Sequence, residues 1–297
     1  MSVFDEIIES FKRGSVLTRL IYVNLAVFVI IKLLQVIFFL AGAGGTVTPA
    51  VVDIFALPAN LHVLITKPWT IITYMFLHES FLHILFNILW LYWFGRIFLE
   101  FLSERKLLGV YFLGGFAGAL FYIASFNLFP AFEDVVLMSR ALGASAAVLA
   151  VVISISAYVP NYTIYLLFLG PVKLKYIALV IVILDIINIA SHNAGGHIAH
   201  LGGAFFGYIF TGQYRKGKDL TTGINKIIDN LVTLLKPRKK FKVTYRNEKP
   251  RTDYEYNKQK AERQKVIDGI LEKISKSGYD SLTKEEKEIL FKMSSRS

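Results

Sequence analysis

The chain is 297 residues long, 54% of them apolar, with a mean hydropathy of +0.50 and a net charge of +11. That balance excludes an ordinary soluble domain and calls for several membrane-embedded segments. The lack of cysteine excludes disulfides, a thiol nucleophile and thiolate-held metal. The charge is also local: residues 215–297 carry 22 Lys and Arg against 12 Asp and Glu, which leaves +1 for residues 1–214.

In chain order, residues 1–16 read as an amphipathic segment on the membrane surface, with Phe4, Ile7, Ile8 and Phe11 at helical spacing. A first span is expected over 17–40. Ala41-Gly42-Ala43 behind it has the form of a signal cleavage site, but an apolar stretch of this length, interrupted by Lys32 and Gln35, reads as an anchor. Lys32 reads as a snorkelling side chain. Residues 41–68, punctuated by Gly and Pro, are long for a helix connection and are expected to form a structured lid or interfacial segment. Further spans are expected over 75–101, 107–126, 141–159, 174–189 and 194–213, so residues 17–213 form an all-α, polytopic six-helix membrane bundle. The apolar run from Thr163 to Pro171 reads as an interfacial entry to the fifth span.

Six spans put both termini on one face. Loops on that face carry Lys12, Arg13, Arg19, Arg96, Arg105, Lys106, Lys173, Lys175, Arg215, Lys216 and Lys218, against Lys67 and Arg140 opposite, which places the termini in the cytoplasm. The second, fourth and sixth spans then begin at the outer face. His78, His83 and Asn87, Ser145, and His200 fall near those beginnings, at one depth.

Residues 214–259 read as a basic juxtamembrane linker, whose Lys236-Pro237-Arg238-Lys239-Lys240 suits anionic lipid better than nucleic acid. Residues 260–297 read as a small helical hairpin: Val266, Ile267, Ile270, Leu271 and Ile274 form a stripe, Ser277-Gly278 breaks it, and Thr283-Lys284-Glu285-Glu286 has capping-box form. Self-association or packing on the membrane domain is its structural reading; docking an unknown partner is the functional one.

The chemistry centres on His200, because a histidine inside a membrane segment is a functional candidate by default. It heads a stripe with Gly203 and Gly207, small residues that let a neighbouring helix come close. A hydroxyl is a weak nucleophile until a base takes its proton, and a neutral imidazole is that base at neutral pH. Ser145, in Gly143-Ala144-Ser145-Ala146, supplies the hydroxyl near a helix N-terminus, where free N–H groups suit an oxyanion. His83 and Asn87, one helical turn apart, can add donors, although alone they would serve as interhelical glue. The expectation is a Ser-His dyad closed by a bond of about 2.6–3.2 Å. No carboxylate has an obvious place in it; Asp185, the sole acid deep in a span, lacks a carboxylate partner for aspartyl chemistry. His192 and His197 lie close by, but the glycine stripe belongs to His200. His78 and His83 stand five apart, the wrong spacing for a zinc-protease helix, and neither metal nor cofactor is expected.

These motifs together resemble the rhomboid family of intramembrane serine proteases over about residues 15–213. They are His78-Glu79-Ser80-Phe81-Leu82-His83-Ile84-Leu85-Phe86-Asn87, Gly143-Ala144-Ser145, and Ala199-His200-Leu201-Gly202-Gly203 with Gly207. The resemblance implies that Ser145 is the nucleophile, His200 the base and then the acid, and His83 and Asn87 the oxyanion-stabilising pair. It makes His78 a near-site structural residue; Gly143, Gly203 and Gly207 shape the site. It implies a serine endopeptidase cutting transmembrane protein substrates in or near their spans, with water reaching the site through a polar cavity rimmed by residues 41–68 and the fifth span. Departures are Thr70 after Trp69 where the family often has arginine, Ala146 where it has glycine, and a displaced Glu100. The alternative is a catalytically silent rhomboid-like protein that binds membrane clients, whose mark would be a lost serine or histidine; both are present. Acids in the first ten positions and no Arg- and Ser-rich leader favour a bacterial inner membrane.

Overall fold

Side-chain caps start the chain. The computed structural model describes residues 2–166, 170–190, 193–235 and 252–294; two compact units divide it, Met1–Lys236 and Pro237–Ser297. Ser2 and Asp5 exchange capping-box bonds at the head of α1 (Val3–Arg13), and Ser15 accepts from the Thr18 N–H at 3.2 Å to open α2 (Val16–Leu40). α2 buries only Leu17, Leu20 and Asn24, while Phe39 and Leu40 at its far end are 71% and 78% exposed. A helix so apolar on its open faces is built for lipid.

Residues 41–68 are structured. They contain α3 (Val47–Phe55), the short strand β1 (Leu57–Pro58) and α4 (Leu61–Thr66), followed by α5 (Thr70–Thr73) and a tight turn over Tyr74–Phe76. The second expected span starts late: α6 runs Phe81–Phe101, because extended Ser80 caps it by accepting from the His83 N–H at 3.3 Å. His78 therefore stands ahead of the helix and not on it. α7 (Glu104–Leu128) follows. The fourth expected span also starts late. Arg140–Ala141 form β2, paired antiparallel with β1, and Gly143 at φ +129° turns the chain so that α8 covers Ser145–Tyr158. In the run expected as an interfacial entry to the fifth span, β3 (Thr163–Leu166) pairs antiparallel with β4 (Gly170–Lys173). α9 (Leu174–Ile187) and α10 (Ala194–Arg215) complete the set.

Helices thus stand at all six expected segments, yet among the described residues three, α2, α6 and α7, are long and apolar enough to cross a membrane. α8 and α9 have 14 residues each, about 21 Å of helix. α10 has the length, but His, Gly and Gln dilute its apolarity.

α8 is the core: every residue from Ala146 to Ser156 is buried. Small residues let its neighbours reach its backbone. A Cβ on Gly203 would fall on the Ala146 carbonyl and one on Gly207 would lie 2.5 Å from the Ala150 carbonyl, so α10 meets α8 main chain to main chain. Gly114 and Gly118 of α7 abut Ala150 and Ala146 from another side.

Residues 222–235, expected within a basic linker, form the amphipathic helix α11 (Thr222–Leu235). It is tied to α7 by Asn225 Nδ2 donating to the Arg105 carbonyl at 3.0 Å and by an Arg105–Asp229 pair at 3.2 Å. The run 236–240 lies outside the described residues. In the second unit α12 (Asp253–Ser277) begins before residue 260 and ends at Gly278, φ +77°; α13 (Lys284–Ser294) follows, opened by reciprocal Thr283–Glu286 bonds.

Candidate active site

Ser145 is the first residue of α8, and the preceding Ala144 has no side chain with which to cap it. The first-turn N–H groups of Ser145, Ala146 and Ala147 are consequently left without a capping partner, at the positive end of the helix. Gly143 makes this turn possible. Its N–H is held by the Tyr74 carbonyl at 2.9 Å, and the place of its missing Cβ lies 2.8 Å from His83 Nε2 and 3.6 Å from Ser145 Oγ. Any side chain there would wedge between the imidazole and the hydroxyl.

On α6, Asn87 is buried and its amide donates to the His83 carbonyl one turn back at 2.8 Å. His83 faces the edge of His78, ring centroids 5.0 Å apart. His78 is 4% exposed; its Nδ1 lies 3.3 Å from the Phe76 carbonyl, and its Nε2 has no partner among the described residues. His78 is thus packed behind His83 and does not line the cavity.

A carboxylate that sequence reasoning left without a partner also meets the site. Asp185, 5% exposed near the end of α9, has Oδ1 2.9 Å from His200 Nδ1 and 2.8 Å from His197 Nδ1. An ionised carboxylate only accepts, so each contact calls for a ring that carries its proton on Nδ1. Among the described residues no hydrogen bond joins the Ser145 hydroxyl to His200, so the direct bond expected of a dyad is absent from this state, and His200 is held from its other edge. Such bonds are often long before substrate arrives. Asp185, His197 and His200 also form the one set of potential metal ligands among the described residues, with donor atoms within 4.8 Å of one another. Ligands about 2.0–2.1 Å from a tetrahedral zinc lie roughly 3.3 Å apart; separations of 2.8 and 2.9 Å fit direct hydrogen bonds better.

A cavity of about 1170 Å³ gathers His83, Asn87, Ser145, Asp185 and His200 on one wall system; His197 is not among its lining residues. His192 lies outside the described residues. The expected rim is corrected. Ile181, Leu184 and Asp185 of α9 border the cavity, but the other border is residues 131–142, not 41–68. The latter segment reaches the site through β1, which pairs with β2 at Leu57–Ala141 and Pro58–Arg140.

The departures have local explanations. In the absence of an arginine after Trp69, Lys67 pairs with Asp53 at 2.7 Å and the Trp69 indole donates to the Ile54 carbonyl at 2.8 Å. The Ala146 methyl is spent against Gly118 of α7. Glu100 accepts from the Tyr162 hydroxyl at 3.2 Å, and Lys32 donates to the Glu79 carbonyl at 3.1 Å.

Two family models match the chain: one described as Rhomboid domain over residues 66–216, the other as Family of unknown function (DUF6576) over residues 251–296. A curated relative, "RHOMBOID-like protein 12, mitochondrial" of Arabidopsis thaliana, is 31% identical over 158 residues. That match takes in 50% of this chain and 47% of the relative, so it spans about half the length of each.

Proposed function

The chain belongs to the rhomboid family of integral membrane proteins, and from that premise we propose that it is an intramembrane serine endopeptidase that hydrolyses peptide bonds in or near the transmembrane segments of other membrane proteins. The observation that carries this is Ser145 on the uncapped first turn of α8, lining one cavity with His200, His83 and Asn87.

Ser145 Oγ attacks the substrate carbonyl carbon while its proton passes to His200 Nε2. The negative charge that develops on the carbonyl oxygen is met by the free N–H groups of the α8 turn and by donors from His83 and Asn87. Collapse breaks the C–N bond, and the leaving amine takes the proton from His200. A water then adds to the acyl-enzyme, passing its proton to His200, which returns it to Ser145 as the acid leaves. A helical peptide bond is shielded by its own turn, so the substrates are spans weakened by Gly or Pro near the cut. Basic flanks place both termini in the cytoplasm and the site toward the opposite face, with the bilayer as partner and no nucleic acid.

The test is cleavage of a single-span substrate with a Gly- or Pro-weakened outer half by the purified protein in lipid, beside labelling by a serine-reactive phosphonate. Ser145→Ala and His200→Ala should each lower cleavage by about 10³-fold or more and abolish labelling while the fold is kept. Cleavage that survives Ser145→Ala defeats the assignment; a wild type that neither cuts nor labels favours a client-binding protein.

A further inference from the structure

The buried carboxylate of α9 is unused by a two-residue mechanism. Asp185 sits in a helix whose other buried residue is Leu174, and a charge there is costly unless it is paired. Its pairing is specific: one oxygen, Oδ1, lies 2.9 and 2.8 Å from Nδ1 of His200 and His197, while Oδ2 finds no partner among the described residues. Of the two rings, His200 lines the cavity that holds Ser145.

We propose that Asp185 is a positioning residue that fixes His200 as the Nδ1–H tautomer, so that the opposite ring edge, Nε2, is unprotonated and available to the Ser145 hydroxyl. This rests on the protease reading for its consequence but not for its geometry. An imidazole left to itself carries its proton on either nitrogen, and only the form with a bare Nε2 takes the serine proton. When it does, the ring becomes imidazolium with N–H at both nitrogens. The carboxylate keeps its own charge, gains no proton and faces the new positive charge across 2.9 Å. The proton leaves again through Nε2 to the departing amine. His197 shares the oxygen and braces it from one turn away.

The experiment is nitrogen NMR of the full chain labelled with ¹⁵N-histidine in lipid nanodiscs, with His200 assigned by its loss in His200→Gln, run beside phosphonate labelling and thermal unfolding. Wild type should show His200 protonated at Nδ1, and Asp185→Asn should return it to a tautomer mixture with the unfolding midpoint kept. Labelling should then be about 10²-fold slower and partly restored in Asp185→Glu. In cleavage assays the loss should fall on kcat, with KM little changed. A wild-type His200 protonated at Nε2 overturns the proposal without any variant, which covers the case of an Asp185→Asn protein that fails to fold. So does an Asp185→Asn protein that folds and labels at the wild-type rate. If wild type shows the Asp185-dependent tautomer but never labels, the positioning stands and the protease reading falls.

Discussion

α8 and α9 are both apolar helices of 14 residues, yet they are held in opposite ways. α8 buries all but its ends, and its small residues let Gly203 and Gly207 press on its main chain. α9 buries only Leu174 and Asp185, leaving Leu179, Val180, Ile183 and Ile187 exposed, and Asp185 meets the histidines of α10. The helix that carries Ser145 is held by van der Waals contact; its neighbour meets α10 through a polar anchor at the cavity. Equal length and a shared apolar character thus conceal unequal burial.

Four measurements break or sharpen this contrast. The largest effect belongs to Gly203→Val, whose new Cβ meets a backbone carbonyl that cannot swing aside. It should cost about 3 kcal/mol or more, read as a lowered unfolding midpoint in detergent with phosphonate labelling lost. Ile155→Ala, in the fully buried stretch of α8, should cost about 2 kcal/mol or more by opening a cavity. Amide hydrogen exchange should run at least about tenfold faster along α9 than along α8, since few packed contacts oppose local opening; equal protection would remove the distinction. Ile183→Ala on α9, 44% exposed, should stay within about 0.5 kcal/mol, and a drop matching Ile155→Ala would show a face that is covered.

Much of this was legible in the chain. Ser145, His200 and the glycine stripe could be read because small-residue spacing and a costly histidine are sequence-local signals. The partnership of Asp185 was not, because aspartyl chemistry asks for a second carboxylate, whereas this acid is met by imidazoles. A signal did exist. α9 ends at Ile187 and α10 begins at Ala194, with Asp185 against His197 and His200, and a lone acid in an apolar helix needs a partner of this kind. Helix starts were misplaced at 75 and 141 because apolar composition continues through residues whose backbone is set by Ser80 and by Gly143 at positive φ. α11 was masked by the basic run that follows it, although Ile227, Leu231 and Leu234 keep helical spacing.

The β1–β2 pair also bears on which insertions and deletions this chain tolerates. Between Ala141, paired in register with Leu57, and Ser145 stand only Leu142, Gly143 and Ala144, a tether of about 14 Å at full stretch. One residue more or fewer would slide the hydroxyl off the cavity wall or pull the strand out of register. The stretch between Phe129 and Ser139, which makes turns and no strand pairing, has slack to absorb such a change. Across relatives, length variation should therefore collect on the far side of β2 and vanish between it and Ser145.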